Sequence, residues 1–169
     1  TNTPLAKSLL FDGTDEYVDI GSAAAWDTLI GGAAGSAKEY SVSFWFKPAT
    51  MVDTYPYLYG FSNQRSLFVY GSSYTAKLAA TNRSDNQNYA YTATSPLTVG
   101  TWTHITVTFG GGNTGLTTIY LDGADATDVQ NILSNPQTIA SSNSKIGNRA
   151  SADNAAGNFC DFAVWNKEL

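Results

Sequence analysis

Apolar and polar residues alternate along most of this chain with the two-residue period of half-buried strands. In EYSVSFWFKP (39–48), Tyr40, Val42, Phe44 and Phe46 share one face; Ser41, Ser43, Trp45 and Lys47 take the other, and Pro48 ends the ladder. In TWTHITVTF (101–109), Thr103, Ile105, Val107 and Phe109 oppose Trp102, His104, Thr106 and Thr108. GGGNTG (110–115) then turns the chain into LTTIYLDG (116–123), which makes a hairpin. SLLF (8–11) runs into Asp12-Gly13, a hairpin-type turn, and EYVDIG (16–21) follows with Val18 and Ile20 on one side. YPYLYGFS (55–62), RSLFVYG (65–71), AKLAAT (76–81), NYAYTAT (88–94), SKIGN (144–148) and NFCDFAVWN (158–166) are further predicted strands. Strict alternation in the last puts Cys160, Phe162 and Val164 on one face, so Cys160 reads as a small core residue. Only SAAAWDTLI (22–30) carries a helical signal. Many short strands at regular spacing predict an all-β, two-sheet antiparallel sandwich or jelly roll.

Composition narrows the function. The 169 residues suit one domain, 1–169, and the start at Thr rather than Met suggests part of a larger protein. Charged residues are only 14 % and the net charge is −5, so no basic stripe exists to neutralise phosphates. Nucleic acid is thereby a poor partner, and no apolar run reaches the roughly 18 residues of a membrane helix. Cys160 is the single cysteine, which rules out an intrachain disulfide, and His104 is the single histidine.

The motifs, in order, resemble those of one family. LLFDGTDEYVDIG, YSVSFWFKP, GTWTHITVTF, IYLDG, KIGNR and GNFCDFAVWNKEL are similar to the strand signatures of laminin-G-like domains of the concanavalin A-like lectin/glucanase superfamily. The resemblance implies a jelly roll of about a dozen strands but no single function. It also implies that Trp102 and His104 are fold signatures: a strand histidine packed beside Trp102 and hydrogen-bonded across the sheet.

Glucanases of this superfamily place two carboxylates on one strand, about 5–5.5 Å apart across the scissile bond. Here the three glutamates, Glu16, Glu39 and Glu168, share no strand. Asp122, Asp125 and Asp128 lie across a turn. The expectation is therefore no enzyme. Ca²⁺ takes six to eight oxygen ligands, and the family often holds a structural Ca²⁺ where first and last strands pair. That implies Asp12 with Asp161 as metal ligands; the alternative is a solvated turn aspartate.

Seven of the ten tyrosines fall between 55 and 91, and Tyr55, Tyr57 and Tyr59, like Tyr89 and Tyr91, have period 2. Asn, Gln and Arg are interleaved with them. Rings that stack on sugar C–H faces, beside amides and guanidiniums that bond hydroxyls, make a glycan site; the same residues also suit a protein contact. The expected ligand-binding set is Tyr57, Tyr59, Arg65, Tyr74, Arg83, Asn86, Tyr89 and Tyr91. The alternative is tyrosines that simply pack the two sheets. Two functions follow: a non-catalytic, lectin-like carbohydrate-binding module of a secreted or surface-displayed protein, or a structural or adhesion module such as a virus capsid, tail or fibre component. Partners are then glycans or neighbouring protein subunits, and the location is extracellular, at the cell surface or on a virion surface.

Overall fold

A computed structural model describes residues 7–31, 38–50, 55–61, 65–71, 77–81, 88–94, 96–112, 115–132, 143–149 and 153–169. Its strands are β1 (Leu9–Asp12), β2 (Val18–Asp19), β3 (Tyr40–Pro48), β4 (Tyr57–Phe61), β5 (Arg65–Tyr70), β6 (Lys77–Thr81) and β7 (Asn88–Thr92). They continue with β8 (Thr103–Phe109), β9 (Thr117–Leu121), β10 (Ala124–Asp125), β11 (Thr127–Ile132), β12 (Lys145–Ile146) and β13 (Ala156–Trp165). One helix, α1 (Ala23–Ile30), is capped by Ser22, whose hydroxyl accepts the Ala25 N–H.

Two antiparallel sheets form a sandwich. The six-stranded sheet has the order β1-β13-β3-β8-β9-β10; the seven-stranded sheet has β11-β7-β6-β5-β4-β12-β2. The β3 and β8 alternation is realised as read: Tyr40, Val42, Phe44 and Phe46 pack with Ile105, Val107 and Phe109 in one core. Facing them from the other sheet are Leu58, Tyr59, Phe61, Leu67, Val69, Leu78, Ala80 and Ala90. Aromatic pairs bind the layers together: Phe44 meets Tyr59 edge-on at 5.9 Å, and Tyr40 stacks on Phe109 at 4.2 Å. Among the described residues no helix is long and apolar enough to cross a membrane.

Three local features depart from the sequence expectation. The Asp12-Gly13 turn does not make a hairpin: β1 pairs with β13 and β2 with β12, so the turn carries the chain between sheets. Strand β11, which pairs with β7, was not foreseen, because Thr-Asp-Val-Gln-Asn-Ile lies at an edge and shows little alternation. Finally, Cys160 is not a core residue. It pairs with Trp45 on the outer side, and the register shifts between Cys160 and Ala163, with Asp161 at φ 54°. This bulge breaks the period, so Phe162 and Val164 pack on the core while Cys160 does not.

Candidate functional site

The outer face of the seven-stranded sheet is built by alternation in its central strands. In β5, Leu67 and Val69 enter the core, which leaves Ser66, Phe68 and Tyr70 outside. In β6, Leu78 and Ala80 go in and Ala79 out; in β7, Ala90 goes in and Tyr89 and Tyr91 go out. Register then aligns two rows across the strands. One runs Val129, Tyr91, Ala79, Phe68, Tyr57; the other runs Asn131, Tyr89, Thr81, Ser66, Gly60. The first row is apolar and aromatic. The second is mainly hydroxyl and amide, with Ser66 and Thr81 hydrogen-bonded at 2.9 Å.

The rings are continuous. Tyr57 stacks on Phe68 at 4.8 Å, and Phe68 meets Tyr70 at 6.3 Å. Tyr70 contacts Tyr55 at 5.8 Å and Tyr91 at 5.4 Å, and Tyr91 contacts Tyr89 at 4.4 Å. Tyr70 and Tyr91 stand on strands two apart, roughly 9–10 Å. On the strand between, Lys77 is opposite Tyr70 and Ala79 is opposite Tyr91, and the small Ala79 leaves room for the two rings to meet diagonally. Tyr57 and Phe68 form a floor, only 6 % and 5 % exposed. Tyr55 and Tyr70 stand above it, 42 % and 47 % exposed. Burial raises the Tyr91 phenol above its ordinary value, with Tyr70 and Tyr89 adding to the shift. Its hydroxyl is thus a neutral donor at physiological pH.

Not every anticipated residue belongs to this face. Tyr57, Tyr89 and Tyr91 do; Tyr59 and Arg65 do not. The register slips between Tyr57 and Tyr59, where Leu58 is the extra residue of a bulge. Leu58 and Tyr59 both turn inward, so Tyr59 is wholly buried and its hydroxyl has no hydrogen-bond partner among the described residues. Arg65 follows the inward parity of Leu67 and Val69 and is also wholly buried. Its guanidinium donates to the Ile30 carbonyl at the end of α1 and lies 5.2 Å from the centre of the Tyr40 ring. Tyr74, Arg83 and Asn86 lie outside the described residues. The expected set omitted Tyr55, Phe68, Tyr70 and Arg149, whose guanidinium lies 4.3 Å from the Tyr57 ring centre. For Phe68 and Tyr70 the signal was present in RSLFVY, where they share a parity opposite to Leu67 and Val69.

The metal expectation fares differently. Asp12 pairs with Ala156, and Asp161 lies five residues further along the same strand, roughly 17 Å away at strand rise. The two carboxylates are therefore not brought together. Asp12 instead lies with Asp15 and Glu16, their ligand atoms within 4.8 Å of one another. These are all oxygen donors, as Ca²⁺ requires. Part of their capacity closes the turn: Asp12 Oδ1 accepts the Thr14 N–H at 2.7 Å, and Glu16 Oε2 accepts the Asp12 N–H at 3.0 Å.

On the other sheet, His104 Nε2 lies 2.7 Å from the Ser43 hydroxyl, a bond across strands. Its ring packs at 5.0 Å on Trp45, not on Trp102, because Trp45 is its direct cross-strand neighbour. Trp102 instead takes Lys47, at 5.4 Å. The Asp122 carboxylate accepts the His104 backbone N–H, so it does not orient the imidazole. A shallow concavity of about 540 Å³ beside α1 is lined by Thr28, Lys38, Glu39, Gly111, Gly112 and Asn166, among others. Among the described residues Glu39 is its only carboxylate.

With this geometry in hand, comparison with known proteins decides the family. The family model of the concanavalin A-like lectin/glucanases superfamily, laminin-G type, matches residues 12–169. The chain belongs to this superfamily. A search of curated proteins finds no match. Among solved structures, this superfamily member is similar to domain 4 of AbnA, an extracellular arabinanase from Geobacillus stearothermophilus, in complex with arabinotriose. The TM-score is 0.65 at 14 % identity, covering 100 % of this chain and 75 % of that one. It is also similar to the botulinum neurotoxin serotype C1 binding domain, with a TM-score of 0.51 at 17 % identity over 78 % of this chain and 34 % of that one. A related structure concerns botulinum neurotoxin type C and its interaction with two ganglioside molecules; there the TM-score is 0.50 at 17 % identity over 78 % and 33 %. The chain thus spans about a third of the neurotoxin chains. At these identities the likeness establishes the shared fold.

Proposed function

We propose that this domain is a non-catalytic carbohydrate-binding module that acts outside the cell, on a secreted or surface-displayed protein. The observation that carries the reading is the unbroken run Tyr55, Tyr70, Tyr91, Tyr89 on the outer face of the seven-stranded sheet. Ring-to-ring contacts hold these side chains before a ligand arrives, so little rotamer entropy is lost on binding. Similar folds that carry arabinotriose or meet gangliosides support the same reading. The test is a broad glycan array with the purified domain. Binding to a defined glycan class is expected, and no binding to any glycan would refute the proposal.

Exposed Leu9 and Leu10, on edge strand β1, favour a second reading as a contact module for neighbouring protein subunits. We propose Asp12, Asp15 and Glu16 as the ligands of a structural Ca²⁺, which would neutralise three crowded carboxylates. In that case EDTA lowers the melting temperature and added Ca²⁺ restores it; an unchanged melting curve removes the ion.

A further inference from the structure

Arg149 is placed on the tyrosine face by a purpose-shaped gap. Its stem crosses β4 at Gly60, where a β-carbon would lie 3.0 Å from Arg149 Cγ and 3.2 Å from its Cβ. A side chain at this position would press on the Arg149 stem, which would have to give by a few tenths of an ångström. Beyond Gly60 the guanidinium lies 4.3 Å from the centre of the Tyr57 ring, at the end of the aromatic row. Among the described residues, the ring contact is the only polar or electrostatic pairing that engages it. One face of the cation is therefore covered, while its N–H donors lie in the plane of the fork and, among the described residues, meet no hydrogen-bond acceptor. A stacked guanidinium of this kind suits a carboxylate, which accepts two parallel N–H bonds.

The surroundings have matching charge. Lys77 stands directly opposite Tyr70, and Lys145 pairs with Gly60, so three of the nine basic residues border the aromatic row. Lys145 is already occupied, 3.9 Å from the Tyr17 ring centre and close to Asp19. The acidic neighbour here is Asp153, which acts on the Tyr57 phenol in the sense opposite to Arg149. In a chain of net charge −5, these cations favour an anionic ligand at this border.

We propose that the glycan bound by this face carries a carboxylate-bearing sugar, whose carboxylate is received by Arg149 on its Tyr57 support. The inference rests on the glycan-binding reading above. Arg149 is then a specificity residue: it selects acidic over neutral chains, while the tyrosines supply affinity for both.

The experiment is calorimetric titration of matched probes: an oligogalacturonide and its methyl ester, and sialyllactose beside lactose. The two pairs distinguish uronic from sialic acids as the source of the carboxylate. At least one free acid is expected to bind about tenfold more tightly than its neutral counterpart, with the preference shrinking as salt rises. Arg149→Gln should bring that ratio to about one while leaving the neutral probe within about twofold of wild type. Arg149→Lys keeps the charge without the fork and should retain only part of the preference. Because Arg149 covers Tyr57, each variant is first checked for a wild-type circular dichroism spectrum. Should Arg149→Gln fail to fold, Gly60→Ala serves instead: it presses on the Arg149 stem and should reduce the preference. Equal binding of acid and neutral probes by wild type, or a ratio untouched by these variants, overturns the proposal alone. Failure of all four probes to bind overturns this proposal, and the glycan-binding reading falls with it only where the broad array is also blank.

Discussion

Arg65 offers the sharpest separation between scaffold and site. It is wholly buried, donates to the Ile30 carbonyl, and lies against the Tyr40 ring. Burial lowers its pKa, while Tyr40 and Asp27 act in the opposite direction. Truncation to Ala strips the Ile30 carbonyl of this donor, at a cost of about 1–3 kcal/mol. It also empties a volume enclosed by both sheets, and together the two losses should reach about 3–5 kcal/mol. For a domain of this size that corresponds to a fall of roughly 6–20 °C in melting temperature. Arg65→Met refills the volume and removes the cost of burying a charge, so it should lie within about 2 kcal/mol of wild type. Urea denaturation followed by tryptophan fluorescence measures both, and glycan titration below the transition should show no change in affinity for either. The reasoning is refuted if Arg65→Ala melts with wild type, or if Arg65→Met keeps its stability and loses the ligand.

Three further outcomes are expected. Tyr59→Phe removes a buried hydroxyl that has no partner, so stability should stay level or rise by about 1 kcal/mol, and glycan affinity should not move. Asp19 is held below the usual carboxylate range, first by Asn143, then by the Gly21 N–H and Lys145. Its stabilisation is fully present above the ordinary aspartate pKa and is lost as pH falls through the lower folded value. Asp19→Asn should therefore flatten the acid limb of a melting-temperature profile against pH, and an unchanged limb would contradict the assignment. Gly157→Ala should destabilise by about 3 kcal/mol or more, because φ is 149° and the new β-carbon would sit 2.4 Å from the Lys47 carbonyl oxygen. Denaturant midpoints test it.

Much of the architecture was legible because burial and period coincide. Strand β3 alternates without interruption, and its four inward aromatics and aliphatics are all in the core. What the sequence hid were the bulges, two of which moved candidate residues. A residue inserted at Leu58 turns Tyr59 inward beside it, and one at Asp161 detaches Cys160 from Phe162 and Val164. A strict two-residue count runs straight through both positions. Arg65 misled for a different reason: an arginine beside tyrosines reads as a surface cation, and only its parity with Leu67 and Val69 marks it as inward. Tyr70 and Arg149 needed the fold itself. Tyr70 gains its neighbour Tyr91 diagonally across β6, and Arg149 reaches Tyr57 across Gly60 from a segment far along the chain.

The central claim is that the ring run on the outer face holds a glycan. Its most direct test is titration of the best array ligand into wild type and Tyr70→Ala. Tyr70 is half exposed and joins three neighbouring rings, so its loss should weaken binding at least about tenfold. The melting temperature should meanwhile shift by no more than about 4 °C. Unchanged affinity in Tyr70→Ala, with the ligand still bound elsewhere on the domain, would contradict the account.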